Sequence, residues 1–408
     1  MEEWKTYKLG DIVDVKGGKR LPKGISLISS PNSHPYIKIR DLGKSRILNI
    51  NSSYEYVDNE TQVKIAKYTV NAGDVILSIV GTIGLTGIIG QSLDKANLTE
   101  NCIKFINLRG ISSRFLYYYL SSTIGQFYIK KGIVGAVQPK LPIKNIQDIN
   151  ILLPSPNEQN RIVSILSALD SKIELNNRIN HNLEEQEQAL YKSWFVDFEP
   201  FKDGKFVESE LGMIPEGWRV VTMGEVTTEI RTKVGNRTGI KVLSPINTGK
   251  LALSEEYFTK QVFSNSIAKY ILVEPNSFAY NPARVNIGSI GMNEFPFDGC
   301  VSPVYVVFRC EDEYEYLFDF FRKGERFKTE VITRSIGGVR QTLAYKDFSM
   351  IKMVYPPAHI IRNFNSIYHT FYRKINDLEN QNKKISELRD SILPKLMSGE
   401  LKINEIDC

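Results

Sequence analysis

Two long segments with heptad-like spacing of apolar residues constrain the fold of this chain more than any other feature. The first follows the Pro-Ser-Pro sequence at 154–156 and continues to Phe195 without an internal Gly or Pro. Its apolar residues recur in steps of four and three, which places them in one stripe of a helix. About forty residues at about 1.5 Å each make a helix of roughly 60 Å, longer than most globular helices. Asn157 is the predicted N-cap, and Glu158 places negative charge in the first turn.

A helix with such a stripe requires a partner, and residues 364–396 have the same spacing. We therefore predict that the two helices pair antiparallel, with polar Gln381 inside the second stripe. The alternative is two separate helices, each packed on its own domain, but heptads of this length are uncommon in single-domain cores. The predicted seam residues are Ile162, Leu166, Leu169, Ile173 and Leu183 in the first helix and Ile367, Phe371, Leu378, Leu388 and Ile392 in the second.

The chain also contains an internal repeat. Three segments of the first half recur in the same order in the second half, and two of the three pairs share an offset of 202 residues. Because each copy ends in a heptad segment, the pattern indicates a tandem duplication. The matched segments are 4–12 with 218–226, 68–84 with 270–288, and 135–154 with 337–356.

The repeat predicts an α+β fold in which two long antiparallel coiled-coil helices separate two similar domains with pseudo-two-fold symmetry. Short β-rich runs precede a short amphipathic helix in each copy, at Ser113 to Ser121 and at Glu313 to Arg322. The expected boundaries are 1–155 for the first domain, 156–195 for the central helix, 196–217 for a connector, 218–356 for the second domain, and 357–408 for the distal helix and tail.

Composition is that of an ordinary globular protein with a mild basic bias. The net charge is +6 over 408 residues, which is compatible with nucleic acid as a partner but does not establish it. The four cysteines form no CxxC pair and lie far from the histidines in sequence, so we predict no metal site. The N-terminus has no apolar signal core. The uncharged run from Val75 to Leu93 contains four glycines and predicts strand–turn–strand, not a membrane span.

No catalytic motif is evident. A phosphate-binding GxxxxGK[ST] is absent, because Lys38 stands where the first glycine should precede Gly43-Lys44-Ser45. The sequence Asn281-Pro282-Ala283-Arg284 lacks the second proline and the aromatic residue of an adenine methyltransferase motif. We therefore expect no catalytic activity and no cofactor in this chain.

Basic, glycine-containing segments instead occur at corresponding places in the two copies. Glycine permits close approach to a phosphate, Lys and Arg neutralise it, and Gln and Arg discriminate adenine from guanine at base edges. Any one such segment could be a solvated surface turn; their recurrence at matching positions favours DNA binding. Arg46 extends one of these segments. The predicted DNA-binding residues are Lys16, Lys19, Arg20, Lys23, Lys38, Arg40, Lys44, Gln138, Lys140, Arg231, Lys233, Arg237, Lys241, Arg284, Arg334, Arg340 and Gln341.

Two DNA-binding domains joined by long helices imply a target in two parts. B-DNA turns once in roughly 34 Å, so a helix of roughly 60 Å spans half-sites about one turn apart. The helix length would then determine the gap, and each domain would recognise one half-site.

An ordered set of motifs resembles the specificity subunit of type I restriction–modification systems along nearly the whole chain. The motifs are Trp4 to Asp11, Gly73-Asp74-Val75-Ile76, Gly81-Thr82-Ile83-Gly84, Pro154 to Ile162, Ser193 to Phe198 followed by Pro215 to Trp218, and Leu393 to Leu401. The resemblance implies a non-catalytic, cytoplasmic, prokaryotic protein with two domains that each recognise half of a split DNA site. It also implies two partner modification subunits, which use S-adenosylmethionine to methylate adenine, and restriction subunits, which use ATP and Mg²⁺.

The second copy departs from the family pattern after its proline, where His359-Ile360-Ile361 replaces Asn-Glu-Gln. The start of the distal helix is therefore expected to contact its modification subunit differently. Two alternatives remain open at this stage. One is the recognition subunit of a type II enzyme with a bipartite site, and the other is a coiled-coil scaffold with two protein-binding domains.

Overall fold

The computed structural model describes residues 4–43, 45–258, 263–264, 266–335 and 342–401. Contacts divide the chain into two units, one of Met1–Ile179 with Asp377–Cys408 and one of Asn180–Asn376. Each unit contains one copy of the repeat and a part of each long helix.

The first copy combines strands and short helices in two sheets. One sheet has the strand order β2-β9-β6-β7-β4 and the other β5-β3-β8, while β1 pairs antiparallel with β10. The run from Val75 to Leu93 forms antiparallel β6 and β7, as predicted. The strands are β1 (Lys5–Lys8), β2 (Asp14–Gly17), β3 (Pro35–Ile37), β4 (Ile47–Leu48), β5 (Glu55–Tyr56), β6 (Val75–Ser78), β7 (Thr86–Ile89), β8 (Asn97–Leu98), β9 (Cys102–Ile106) and β10 (Asn150–Leu153). The helices are α1 (Leu9–Ile12), α2 (Asn59–Ile65), α3 (Ser113–Ser121), α4 (Thr123–Lys131) and α5 (Ile143–Gln147), followed by the long helix α6 (Pro156–Phe195).

The second copy follows a hairpin of β11 (Phe206–Ser209) and β12 (Gly212–Pro215). Its sheets have the orders β14-β21-β18-β19 and β16-β15-β20-β17, and β13 pairs antiparallel with β22. The strands are β13 (Arg219–Thr222), β14 (Thr227–Ile230), β15 (Lys241–Pro245), β16 (Leu251–Leu253), β17 (Ile271–Val273), β18 (Phe278–Tyr280), β19 (Ile290–Met292), β20 (Gly299–Val301), β21 (Val306–Cys310) and β22 (Lys352–Tyr355). The helices are α7 (Met223–Val226), α8 (Ser254–Tyr257), α9 (Glu315–Phe321), α10 (Glu325–Arg334) and α11 (Tyr345–Phe348), followed by the long helix α12 (Ala358–Ser398). Short 3-10 turns occur at Ile39–Asp41, Ala66–Tyr68, Gln91–Leu93, Glu199–Phe201 and Val285–Ile287.

The two copies have the same succession of paired elements, which confirms the predicted duplication. The order β2-β9-β6-β7 in the first copy corresponds to β14-β21-β18-β19 in the second. The parallel pair β3–β8 corresponds to the parallel pair β15–β20. The helices α3, α4, α5 and α6 begin at 113, 123, 143 and 156, and α9, α10, α11 and α12 begin 202 residues later in each case.

The first turn of α6 differs from the prediction at its cap. The helix begins at Pro156, so the N-cap is Ser155 and the prediction of Asn157 was wrong. The hydroxyl of Ser155 donates to Glu158 Oε2 at 3.1 Å, and the amide of Glu158 donates back to Ser155 Oγ at 3.4 Å. Proline suits the first helical position because its missing N–H would have no partner there, which favours Ser155 over Asn157 as the cap.

In the first unit, α6 and α12 run antiparallel. Asp170 of α6 pairs with Arg389 at 2.8 Å, and Asn176, later in α6, donates to Asn382, earlier in α12, at 2.8 Å. Asn382 in turn donates to Asn177. The apolar residues of both helices, including Ile162 and Leu396, join the core of the first copy.

The stripe predicted for α12 has the wrong phase at two positions. Ile367 and Leu388 were predicted in the seam, but they are 38% and 51% exposed. The seam contains Tyr368 and Arg389 in their place, and Asn382 in place of the exposed Gln381. Two of these three seam residues, Asn382 and Arg389, are polar. A search for apolar residues therefore could not find them, and it placed the seam one residue away. The predicted seam positions Ile162, Leu166 and Leu378 are buried, and Leu169, Ile173, Leu183, Phe371 and Ile392 are partly buried.

The corrected phase predicts how two leucines of α12 differ. Leu388→Ala should change the free energy of unfolding by less than about 1 kcal/mol, because the side chain is already half exposed. Leu396→Ala, at a fully buried position, should destabilise by about 2–5 kcal/mol. Urea denaturation of both variants measures this, and equal losses would contradict the observed phase.

In the second unit, the end of α6 and the start of α12 pack through aromatic rings. Phe364 lies with its ring centroid 4.9 Å from that of Phe195 and 6.1 Å from that of Trp194. Tyr191 stacks on Phe320 of α9 at 5.1 Å. These rings belong to one continuous core with the strands of the second copy.

Glu187 of α6 lies close enough to this core for its charge to add to the effect of burial in raising the pKa of Tyr368. Its Oε1 is buried without a hydrogen-bond partner among the described residues. Burial raises the pKa of this carboxyl to about 7, which the positive charge of Lys323 only partly offsets. The nearby acidic groups Glu184, Asp319 and Glu294 act in the same direction as burial.

This raised pKa predicts a pH-dependent stability. The folded state binds the proton more tightly than the unfolded state, so the free energy of unfolding should fall as pH rises from about 4.5 to about 7. Glu187→Gln should remove that fall and be more stable than the wild type by roughly 1–3 kcal/mol at pH 8, with little difference at pH 5. Urea denaturation across this pH range measures the effect. The control is Glu185→Gln, because the Glu185 side chain is 65% exposed. If the free energy of unfolding depends on pH in the same way in Glu187→Gln and in this control, the prediction is contradicted.

Candidate nucleic-acid interface

A cleft in the first unit collects three of the predicted DNA-binding residues. Arg20, Lys38 and Arg40 line an open depression of about 600 Å³ beside the sheet β5-β3-β8. We call this depression the charged cleft; its lining also includes Tyr36, Glu55, Thr99, Glu100 and Asn101.

Every one of these three cations has an acidic partner inside the charged cleft. Arg20 Nε donates to Glu100 Oε1 at 2.7 Å. Lys38 Nζ and Arg40 Nη2 both donate to Glu55 Oε2. The hydrogen bond from Lys38, reinforced by the charge of Arg40, holds the pKa of Glu55 below its usual value, so the carboxylate is ionised at neutral pH.

One of the two glycines that precede this cleft has a structural explanation. A Cβ on Gly18 would lie 2.0 Å from the carbonyl oxygen of Thr99, so the close approach of two backbone segments requires glycine there, whereas a Cβ on Gly17 would meet no atom within 4 Å. The next residue, Lys19, donates its amide to Leu98 and lies over the ring of Tyr68 at 5.4 Å. The other predicted cations of this segment, Lys16 and Lys23, are exposed.

A second predicted group lies on a loop beside the cleft. Val134 and Lys140 exchange backbone hydrogen bonds of 2.9 and 3.0 Å, which close a loop whose exposed tip contains Gln138. Gly135 has φ of +92° and would place a Cβ 2.8 Å from the carbonyl oxygen of Gln138, so this turn requires glycine.

Backbone bonds connect this loop to the charged cleft. Lys140 forms an isolated antiparallel β-bridge with Val80. The amide of the preceding residue, Ile79, donates to the carbonyl of Asn101 in the cleft at 2.8 Å. The loop is therefore connected to the cleft residue Asn101 through the backbone of residues 79 and 80.

In the second unit, the predicted cations at 231–241 surround a turn-rich segment. Arg231 pairs with Glu229 at 2.7 Å, and Arg237 Nη1 donates to the carbonyl of Lys233 at 2.9 Å. Lys241 lies 5.6 Å from the ring centre of Phe297. Gly235 and Gly239 adopt φ of +61° and +76°, conformations that favour glycine.

The remaining predicted residues of the second unit lie at the ends of elements. Arg284 is exposed in the turn after β18, and Arg334 ends α10, where it pairs with Glu330 at 2.7 Å. The amide of Leu343 donates to the carbonyl of Pro282, as the amide of Leu141 donates to that of Ile79 in the first copy. Lys44, Arg340 and Gln341 lie outside the described residues.

Arg46, which the sequence places at the end of one basic segment, is buried in the structure, so the interpretation of this residue as part of an exposed basic segment was wrong. It is 9% exposed, and its guanidinium donates to the Tyr118 hydroxyl at 3.1 Å and to Ser171 Oγ at 3.3 Å. Tyr118 donates to Asp170 at 2.6 Å, and Asp170 also accepts from Arg389. This buried network joins the first copy to both long helices within the first unit. No local signal could reveal it, because its members lie 52 to 219 residues apart.

Metal-ligand clusters and reactive thiols are two further kinds of chemical group on which the described residues bear. No group of three or more His, Cys, Asp or Glu residues is placed to hold a metal there. Burial raises the pKa of the Cys102 thiol to about 12 and that of Cys300 to about 11, which makes both poor nucleophiles. Cys310 is also buried, and Cys408 lies outside the described residues. Within the described ranges, no helix is long and apolar enough to cross a membrane.

A comparison with known families finds a match for the first copy. The family described as type I restriction modification DNA specificity domain matches residues 1–185, which comprise the first copy and most of α6.

Similarity to individual proteins extends over the whole chain. The MjaIX type I restriction enzyme specificity subunit of Methanocaldococcus jannaschii is 26% identical over 99% of this chain and 95% of its own length. The HindI specificity subunit of Haemophilus influenzae is 24% identical over 98% of this chain and 100% of its own length. The crystal structure of a type I restriction–modification S subunit from M. genitalium has the same fold, with a TM-score of 0.58 and 16% identity over 97% of this chain and 96% of that one. The chain is thus a relative of type I specificity subunits, as its sequence motifs predicted.

Proposed function

We propose that this chain is the DNA-recognition subunit of a type I restriction–modification enzyme. Each copy of the repeat recognises one half of a bipartite site, and α6 and α12 determine the gap between the halves. The observation that carries this proposal is the duplication itself. Two copies of one fold each continue into a long helix at the same offset of 202 residues, so one chain presents two related DNA-binding surfaces.

The chemistry belongs to partner subunits. Two modification subunits dock on the specificity subunit and methylate adenine with S-adenosylmethionine, and restriction subunits use ATP and Mg²⁺ to cleave unmodified DNA in the cytoplasm of a prokaryotic cell. One feature of the described residues supports a non-catalytic role: burial raises the pKa values of the Cys102 and Cys300 thiols, which makes both poor nucleophiles.

The test is methylation sequencing in a host that lacks adenine methylation at bipartite sites. The chain is expressed with its modification subunits, and methylated adenines are mapped across the genome. We expect one bipartite motif with a constant gap. A chimaera whose residues 1–155 come from a relative should change one half of the motif and leave the other half unchanged. Absence of a bipartite motif, or a change in both halves, would contradict the proposal, and a protein-binding scaffold would give no methylation at all.

A further inference from the structure

The charged cleft of the first unit differs from a simple phosphate-binding surface in its balance of charge. It contains the three cations Arg20, Lys38 and Arg40, but also the carboxylates of Glu55 and Glu100. Both carboxylates are accessible, with side chains 27% and 29% exposed. A surface that only neutralises phosphates gains nothing from two accessible carboxylates, because they repel the DNA backbone.

The same groups are complementary to the edge of a G·C base pair. In the major groove, guanine presents two acceptors, O6 and N7, which arginine recognises through two donors. Cytosine presents the N4 amino donor, which a glutamate carboxylate accepts. Each carboxylate in the cleft is hydrogen-bonded to an arginine, Glu55 to Arg40 and Glu100 to Arg20, so an acceptor and a donor lie side by side.

Strand pairing positions one of these acidic groups, and a side-chain hydrogen bond positions the other. Glu55 lies on β5 directly opposite Tyr36 of β3, and Tyr36 donates its hydroxyl to the carbonyl of Lys19 at 2.8 Å. Glu100 follows β8, and its Oε2 accepts from Thr99 Oγ1 at 3.0 Å. Side chains held in this way recognise bases more selectively than side chains on free loops.

We propose that the charged cleft reads the bases of a G·C pair in the half-site of the first copy. Glu55 or Glu100 accepts a hydrogen bond from cytosine N4, and the arginine bonded to it donates to guanine. This inference rests on the proposed function, and it assigns specificity to two acidic residues that the basic pattern of the sequence did not indicate.

The test uses the complete modification enzyme and the same methylation sequencing, with Glu55→Gln, Glu100→Gln and Arg40→Gln variants. Glutamine keeps the size of glutamate but presents a donor as well as an acceptor. We expect the wild-type half-site of the first copy to contain a G·C pair. At least one glutamate variant should lose selectivity at that pair by about tenfold or more, without changing the other half-site or the gap. If Glu55 is the reader, Arg40→Gln should affect the same pair, which provides a second, independent variant.

The matched control is Glu60→Gln on α2, an 82% exposed glutamate whose partner is Lys64 of the same helix; its motif should be that of the wild type. A wild-type motif that both Glu55→Gln and Glu100→Gln leave unchanged, with methylation raised equally at all sites, would overturn this inference alone. That result would show that the carboxylates only restrain phosphate-binding cations. A wild type without a bipartite motif would overturn the proposed function and this inference together.

Discussion

Asp170→Ala is expected to destabilise the first unit by about 3–5 kcal/mol. The carboxylate accepts from Tyr118 at 2.6 Å and from Arg389 at 2.8 Å, and Tyr118 in turn accepts from Arg46. Burial raises the pKa of Tyr118, so its hydroxyl remains protonated and donates. Removing the carboxylate takes its ion partner from Arg389 and a nearby negative charge from the Arg46 guanidinium, whose side chain is 8% exposed and which keeps Glu174 at 3.8 Å. Breaking a buried charge network from one side is costly because the remaining charge has lost its partner.

Urea denaturation combined with hydrogen exchange measures this loss and assigns it to a unit. Peptides from residues 9–153 should lose protection, while those from 219–355 should not. Asp390→Ala is the control, because Asp390 also pairs with Arg389 at 2.8 Å but is 64% exposed; it should cost less than about 1 kcal/mol. If Asp170→Ala and Asp390→Ala unfold at the same urea concentration, the network does not have the structural role described here.

Phe364→Ala is expected to destabilise the second unit by about 3–5 kcal/mol. Its ring is fully buried and lies within 4.9 to 6.3 Å of the rings of Phe195, Phe320, Trp194 and Tyr368. Truncation removes this contact area and leaves a cavity that four large rings cannot fill without leaving their rotamers.

The control for this variant also tests the phase of α12. Ile367 is three residues away on the same helix and 38% exposed, so Ile367→Ala should cost less than about 1 kcal/mol. Hydrogen exchange should localise the Phe364→Ala loss to the second unit. Equal effects of the two substitutions would show that Ile367 belongs in the seam after all.

The two copies thus attach to the long helices by different chemistry on one fold. Tyr118 of α3 and Phe320 of α9 are equivalent at the offset of 202 residues. Tyr118 enters a hydrogen-bonded charge network, whereas Phe320 stacks on Tyr191. Both copies place a large aromatic side chain at this buried position. Whether it carries a hydroxyl depends on the residue of α6 or α12 that faces it.

The elements that could be predicted from the sequence are those with a periodic or repeated signal. The long helices, the strand–turn–strand at 75–93 and the order of the two copies all follow from patterns that extend over many residues. Single positions of α12 could not be predicted in this way. Asn382 and Arg389 occupy the seam because Asn176 and Asp170 of α6 satisfy them, and an apolar pattern cannot anticipate a polar partner about 200 residues away.

In the charged cleft, too, some residues could be predicted from the sequence and others could not. The basic residues at 20, 38 and 40 were recognisable from composition, and the structure brings them into one cleft. Their acidic partners were not recognisable, because Glu100 lies 80 residues from Arg20. In the proposal above these partners determine specificity, because carboxylates beside arginines are complementary to base edges and not to phosphates.

The duplication, the two long helices and the similarity to type I specificity subunits could be predicted from the amino-acid sequence, because each depends on spacing along the chain. Which polar residues are buried as partners, and which remain open to a ligand, became visible in the three-dimensional arrangement. Burial makes an unpaired charge costly, so each buried charge must meet its partner in space. The position of that partner in the sequence is set by the topology and not by local pattern.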